Sequence, residues 1–260
     1  VGKGWWPGGT RGRAYTVRVL LLSLDTSAGA SAALLDGTAR SVSDGAVLAE
    51  WASEDTRHHA EQLAPAVAGL LDRLDSSGAS PGARPRPDAV VVGTGPGPFT
   101  GLRAGIMTAR TLAFAWDVPC WGVGSLHALA RQAADAGASG HYLVATDARR
   151  RELYWAHAHA GAEGVEMIDG PHVGAPDTLP ALPVYGAGAG LYPDRLAGTA
   201  RHTELLPHAT AVGAVALTAL HRAGDPVAAG LTDTAPRYLR ESDAKVPTAR
   251  KPALGSGARA

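Results

Sequence analysis

The stretch Val90-Val91-Val92-Gly93-Thr94-Gly95-Pro96-Gly97-Pro98-Phe99-Thr100-Gly101-Leu102-Arg103 decides the reading of the fold. The apolar run over 88–93 predicts a strand buried on both faces. Glycine and proline then impose a turn, and helical spacing follows from Leu102 to Trp116. Strand, glycine turn and helix start aim backbone N–H groups at the space before the helix, which is the geometry of an anion site. The spacing matches neither G-x-x-x-x-G-K-[ST] nor G-x-G-x-x-G, because Gly93, Gly95 and Gly97 lie two apart. Two readings stand. The loop is a phosphate cradle, or it is a stiff turn in which Pro96 and Pro98 fix φ and the glycines absorb positive φ.

Upstream, the apolar run 17–24 reads as a central strand, ending on Asp25-Thr26-Ser27. Strands are predicted over 30–35 and 42–51, the latter with a kink at Ser43-Asp44-Gly45. Glu54-Asp55-Thr56 reads as the cap of a helix running to about Leu74, with Leu63, Val67, Leu70, Leu71 and Leu74 at helical spacing. Pro65 is tolerated if that helix starts near Gln62 and otherwise kinks it. Residues 75–87 are rich in Gly, Pro and Ser and read as a linker. Downstream, Gly101, Gly105, Ala109 and Ala113 give the helix after the loop a ridge of small residues. A strand over 119–123 and a helix capped by Ser125, running to about Ala136, close the first half.

The second half restarts after Gly137-Ala138-Ser139-Gly140. A strand over 142–146 leads to Asp147-Ala148-Arg149-Arg150-Arg151, then strands follow over 152–159 and 165–173. A short helix over 176–182, a strand over 184–187, a glycine turn over 186–190 and a helix capped by Thr210 complete the pattern, with a last ordered segment over 236–240. The parallel between strand-Asp-Thr-Ser-strand and strand-Asp-Ala-Arg-strand marks a duplication. Two meander-plus-helix halves, each opening on an acidic hairpin, form the plan of the actin-like, sugar-kinase-like (ASKHA, ribonuclease H-like) α/β superfamily. In that plan both hairpins reach toward a nucleotide in the cleft between the halves. The expected domains are 17–136 and 137–242, with a disordered extension over 1–16, a natural start at Val17 and a mobile tail over 243–260.

Composition narrows the function classes. The 260 residues carry 24 basic and 24 acidic side chains, which argues against nonspecific nucleic-acid binding through net charge. One cysteine, Cys120, excludes an internal disulfide and a multi-cysteine zinc site, and its apolar setting predicts an inert thiol. No apolar run approaches the ~18 residues of a membrane span, so a cytoplasmic protein is expected. His58-His59 with Glu61 has no third ligand nearby and reads as a polar helix start. His157 and His159 share a strand face and read as an exposed edge. Arg149-Arg150-Arg151 reads as a solvated turn, with contact to RNA phosphates as the alternative. G-x-S-x-G is absent.

Five segments in order, LSLDTS (22–27), GTGPGPFTGLRAG (93–105), GVGSLHALA (122–130), TDARRRELY (146–154) and PRYLR (236–240), resemble the TsaB (YeaZ) family of tRNA threonylcarbamoyladenosine biosynthesis accessory proteins, within the glycoprotease-like superfamily. The resemblance spans about 17–242 and implies a non-catalytic subunit. It would pair with a TsaD-type catalytic paralogue and a TsaE-type ATPase. Together they would transfer threonylcarbamoyl to the adenosine beside the anticodon of tRNAs reading codons that begin with A. ATP and a metal would be bound by the partner subunits, so no cofactor and no metal are expected here. The paralogue's H-x-x-x-H metal motif falls on Ser125 and Leu129, with His127 between them, and Pro98 replaces the usual Ser of GPGSFTG. The resemblance also implies a helix-bundle partner interface at His59, Leu63, Val67, Leu70, Leu74, Gly101, Leu102, Gly105, Ile106 and Ala109, a surface that would equally serve a homodimer in isolation. On this reading Val67→Asp or Gly105→Arg abolishes pairing and leaves the monomer folded. Asp25, Thr26, Gly95, Gly97, Thr100 and Asp147 would outline a vestigial phosphate or nucleotide cleft. The alternative function is a small ATP-binding kinase or ATPase of the same superfold. A metallopeptidase fails for lack of a ligand set.

Overall fold

The computed structural model describes residues 18–38, 46–53, 59–76 and 86–240. The expected start at Val17 and extension 1–16, the kink at Ser43–Gly45, the cap at Glu54–Thr56, His58, most of the 75–87 linker and the tail 243–260 lie outside them, as does the side chain of His59.

Strands β1 (Arg18–Asp25), β2 (Ala30–Thr38) and β3 (Ala46–Ser53) form an antiparallel meander. Strands β4 (Ala89–Gly93) and β5 (Cys120–Val123) extend it in parallel, giving the order β3-β2-β1-β4-β5. The second sheet repeats the plan with β6 (Gly140–Asp147), β7 (Leu153–Gly161), β8 (Gly164–Gly174), β9 (Val184–Tyr185) and β10 (Ala200–Arg201). Read from its β8 edge, its order is β8-β7-β6-β9-β10, the same topology shifted by five strands. The duplication inferred from two acidic hairpins is therefore complete at the level of strand order.

The alternation of side chains along β1 and β4 assigns each face its cover. Leu22, Leu24, Val90 and Val92 pack under α1 (His59–Ser76) and α2 (Phe99–Trp116). Leu21 and Val91 face the other way, against Val212, Val215, Ala216 and Leu220 of α5 (Ala209–Ala223). On the second sheet, Tyr142, Val144 and Tyr154 receive Leu126, Leu129 and Ala130 of α3 (Ser125–Asp135), while Leu143, Ala145 and Val184 pack with Leu179 and Ala189. The last described helix, α5, thus covers the first sheet, and α3, at the end of the first half, covers the second. The 136/137 boundary separates the two sheets but not the two cores.

Local departures have local causes. The glycine turn at 186–190 is a short helix, α4 (Ala187–Leu191), pressed so close to β6 that a Cβ at Gly188 would sit 2.7 Å from the Ala145 carbonyl carbon. The cap of α5 is His208, whose Nδ1 accepts from the Thr210 N–H at 3.3 Å. Helix α1 continues through Pro65. The helix predicted over 176–182 is a single 3-10 turn at Pro176–Thr178. β10 is too short to leave a periodicity in the sequence.

Candidate functional site

Asp25 ends β1 completely buried. Its Oδ1 accepts from the Ser27 N–H at 2.8 Å and from the Ser27 hydroxyl at 2.7 Å, and its Oδ2 accepts from the Ser125 hydroxyl at 2.7 Å. Ser125 Oγ in turn accepts from the Gly95 N–H at 3.1 Å. Burial pushes the Asp25 carboxyl up from its ordinary value, and the hydrogen bonds from Ser125 and Ser27 oppose that. Ser125 therefore does not cap α3, whose cap is Gly124; its hydroxyl ties the glycine loop to the acidic hairpin.

The same hairpin fills the space that the glycines leave. A Cβ at Gly97 would lie 2.5 Å from the Ser27 carbonyl oxygen, and one at Gly101 would lie 2.7 Å from the Thr26 carbonyl oxygen. A Cβ at Gly93 would overlap Asp25 Oδ2, and one at Gly105 would overlap Thr26 Oγ1. The Thr26 hydroxyl donates to the Gly101 carbonyl at 2.8 Å. Close packing of loop, helix start and hairpin accounts for these glycines, which supports the stiff-turn reading of the loop. Of the six residues expected to outline a phosphate cleft, Asp25, Thr26 and Gly97 are sealed in this packing. Thr100 is exposed on α2, and Asp147 stands at the far hairpin, bonded to the Arg149 N–H at 2.7 Å. Gly95 lines an open cleft between the halves.

That cleft, about 720 Å³, runs from Gly95, Pro96 and Gly124 past His127 on α3 to the β7–β8 hairpin and Arg222. The segment 231–240 crosses its first-half end. The Arg237 N–H donates to the Thr94 carbonyl at 2.8 Å, and Tyr238 stacks on Phe99 with ring centroids 3.9 Å apart. Arg103 Nε donates to the Tyr238 hydroxyl at 3.0 Å, and Arg240 pairs with Glu152 of the second half. The PRYLR segment is thus a clasp across both halves.

The interface residues are also placed. Leu63, Val67, Leu70, Leu102, Ile106 and Ala109 are buried in the first-sheet core, Gly101 and Gly105 lie under the hairpin, and Leu74 is half-buried against the same core. Val67→Asp and Gly105→Arg would therefore break the chain's own packing. The large apolar side chains that α2 exposes are Met107 at 58% and Phe114 at 90%. Elsewhere, His157 Nε2 lies 3.0 Å from His141 Nδ1, and the His159 ring stacks obliquely on His141. Among the described residues no group of three or more His, Cys, Asp or Glu side chains is placed to hold a metal. Burial raises the Cys120 thiol to about 11, so it stays protonated and unreactive at neutral pH. No described helix is long and apolar enough to cross a membrane.

The family model described as TsaD, tRNA N6-adenosine threonylcarbamoyltransferase, matches residues 46–250. An uncharacterised protein of Mycobacterium tuberculosis is 42% identical over 170 residues, 64% of this chain and 72% of that protein. The tRNA threonylcarbamoyladenosine biosynthesis protein TsaB of Escherichia coli is 36% identical over 109 residues, 42% of this chain and 45% of that protein. The solved structure of YeaZ from Pseudomonas aeruginosa superposes with a TM-score of 0.67 at 31% identity, covering 85% of this chain and all of that one. The chain belongs to the TsaB/YeaZ family. In this TsaB/YeaZ protein the two positions expected to match the paralogue's metal ligands are both fully buried. Ser125 Oγ is committed to Asp25 and Gly95, and Leu129 is buried in the second-sheet core. They do not fit a metal.

Proposed function

We propose that this chain is a non-catalytic subunit in tRNA threonylcarbamoyladenosine biosynthesis, acting in the cytoplasm with a TsaD-type catalytic paralogue and a TsaE-type ATPase. The relatives named TsaB support the process, and the committed Ser125 and Leu129 support a non-catalytic role. The observation that carries the pairing is on α2. Phe114 and Met107 lie about two helical turns apart, on the side away from the buried ridge. Large apolar side chains left out on one helix face mark a contact surface. The partner face thus lies on the solvent side of α2, while the small-residue ridge serves to seat α2 on its own sheet.

The test is co-purification with the catalytic paralogue, followed by reconstitution of tRNA modification. Phe114→Asp places a charge on this face at a side chain that is 90% exposed, so the monomer keeps its melting midpoint while the heterodimer is lost. Pairing at parental affinity by Phe114→Asp and by Met107→Asp would refute the assignment. Saturable ATP hydrolysis by the isolated chain would favour the kinase or ATPase reading instead.

A further inference from the structure

The cleft between the halves has a positively charged waist that the described residues leave unmatched. Arg222, at the end of α5, lays its guanidinium over the hairpin; a Cβ at Gly164 would stand 3.0 Å from its Nη2. Arg237, on the clasp, lays its own against the start of α3; a Cβ at Gly124 would stand 3.8 Å from its Nη1. Neither guanidinium is paired with a carboxylate among the described residues, and the imidazole of His127 has no hydrogen-bond partner among them. All three line the same cleft. Burial, then Arg237, then Arg222 depress His127 to about 4. The ring is therefore neutral at physiological pH and can donate one N–H, and the field around it is positive.

Other titratable groups on the wall are His159, Glu163 and Glu166, carried by β7, the β7–β8 turn and β8. The charges that bear on His127 are those of Arg237 and Arg222, while Glu163 and Glu166 stand on the hairpin side of the same cleft. Leu126 and Met167 add an apolar wall. The volume lies within the range of small-molecule sites, roughly 300–1,000 Å³.

We propose that this cleft binds a small organic phosphate monoester, with its phosphate between Arg222 and Arg237, in reach of His127, and its organic part against Leu126 and Met167. Two guanidiniums match a dianion better than a single carboxylate charge, and their forked donors suit phosphate oxygens. A neutral imidazole adds a donor without a third charge. The site uses none of the residues of the glycine loop's packed core and does not rest on the assignment of the α2 face.

The test is isothermal titration of the isolated chain with phenyl phosphate, with inorganic phosphate and phenol titrated separately. Phenyl phosphate binds saturably and more tightly than inorganic phosphate, phenol does not bind, and sodium chloride at matched ionic strength does not reproduce the heat. Arg222→Gln with Arg237→Gln, both at exposed side chains, weakens binding by about ten- to a hundredfold or more. His127→Gln keeps a donor and retains binding, whereas His127→Phe loses it. The inference is overturned by unchanged affinity in the double variant while its melting midpoint is parental. It is also overturned by no saturable binding up to about 10 mM. Equal affinity for inorganic phosphate and the ester would overturn the organic part of the site.

Discussion

Replacing Asp25 separates the two roles of its carboxyl, as an acceptor and as a buried acid. Asp25→Ala removes the acceptor of three bonds, from the Ser27 N–H, the Ser27 hydroxyl and the Ser125 hydroxyl, at 2.7–2.8 Å. Each buried donor left without a partner costs about 1–3 kcal/mol. The hydroxyls can rotate toward other acceptors but the Ser27 N–H cannot, so a net loss of about 3–5 kcal/mol is expected. Asp25→Asn keeps an oxygen toward Ser27, and its amide can donate to Ser125 Oγ. That variant should unfold within about 1 kcal/mol of the parent. The two also differ in pH response. Burial raises the Asp25 carboxyl above its ordinary value, so the folded chain holds the proton more tightly than the unfolded one. The Asp25 contribution to stability therefore falls as pH rises from the ordinary carboxylate value to the raised folded value, and is level above it. Asp25→Asn removes that fall. Urea unfolding followed by circular dichroism, repeated from pH 4 upward, reads both effects. A cost for Asp25→Ala below about 1 kcal/mol, or the same pH slope in Asp25→Asn as in the parent, would refute the reasoning.

The glycine loop gives a second prediction. Gly97→Ala drives a Cβ against the Ser27 backbone, which has no rotamer to yield, and should cost about 1–3 kcal/mol in urea unfolding. Arg150 and Arg151 occupy the two central positions of the β6–β7 turn with φ of 54° and 62°, closed by the Glu152 N–H to the Arg149 carbonyl at 3.0 Å. Such positions favour Asn-Gly, so exchanging this pair for Asn-Gly should raise the melting midpoint, with a gain of about 1–2 kcal/mol. A midpoint unchanged or lowered would show that the arginine side chains contribute more than the turn costs.

Elements whose signal is local were legible in the sequence. The strand at 89–93, the strands flanking Asp147 and the helical stripe Leu63–Leu74 all appeared from period and composition. The two acidic hairpins revealed the duplication, although β10 carries too few residues to be seen. The candidate site was less legible because its meaning is set by neighbours distant in sequence. Gly97 and Gly105 look alike whether they face a phosphate or the Ser27 and Thr26 backbone, and only the packing of the 25–27 turn decides. The stripe on α1 and the ridge on α2 show that an apolar face exists without telling which surface it meets. Ser125 looked like a helix cap; its bond to a residue a hundred positions earlier has no sequence signature. Arg222 carried no signal because isolated arginines are common, and Arg237 was read only as part of PRYLR; only the cleft brings them together with His127.

The exchange of helices between the halves has a consequence for synthesis. As the chain leaves the ribosome, β1 to β5 can pair and gain α1 and α2 on one face. The opposite face, with Leu21 and Val91, waits for α5. The hydrogen bond from the Ala209 N–H to Ser31 Oγ, 3.0 Å long, joins positions 178 apart in the chain. Until Ala223 has emerged, a nascent first half carries a bare apolar sheet face, the kind of surface that chaperones hold and that aggregates when they do not. Emergence of α5, rather than completion of the first half, is the moment at which this face is covered.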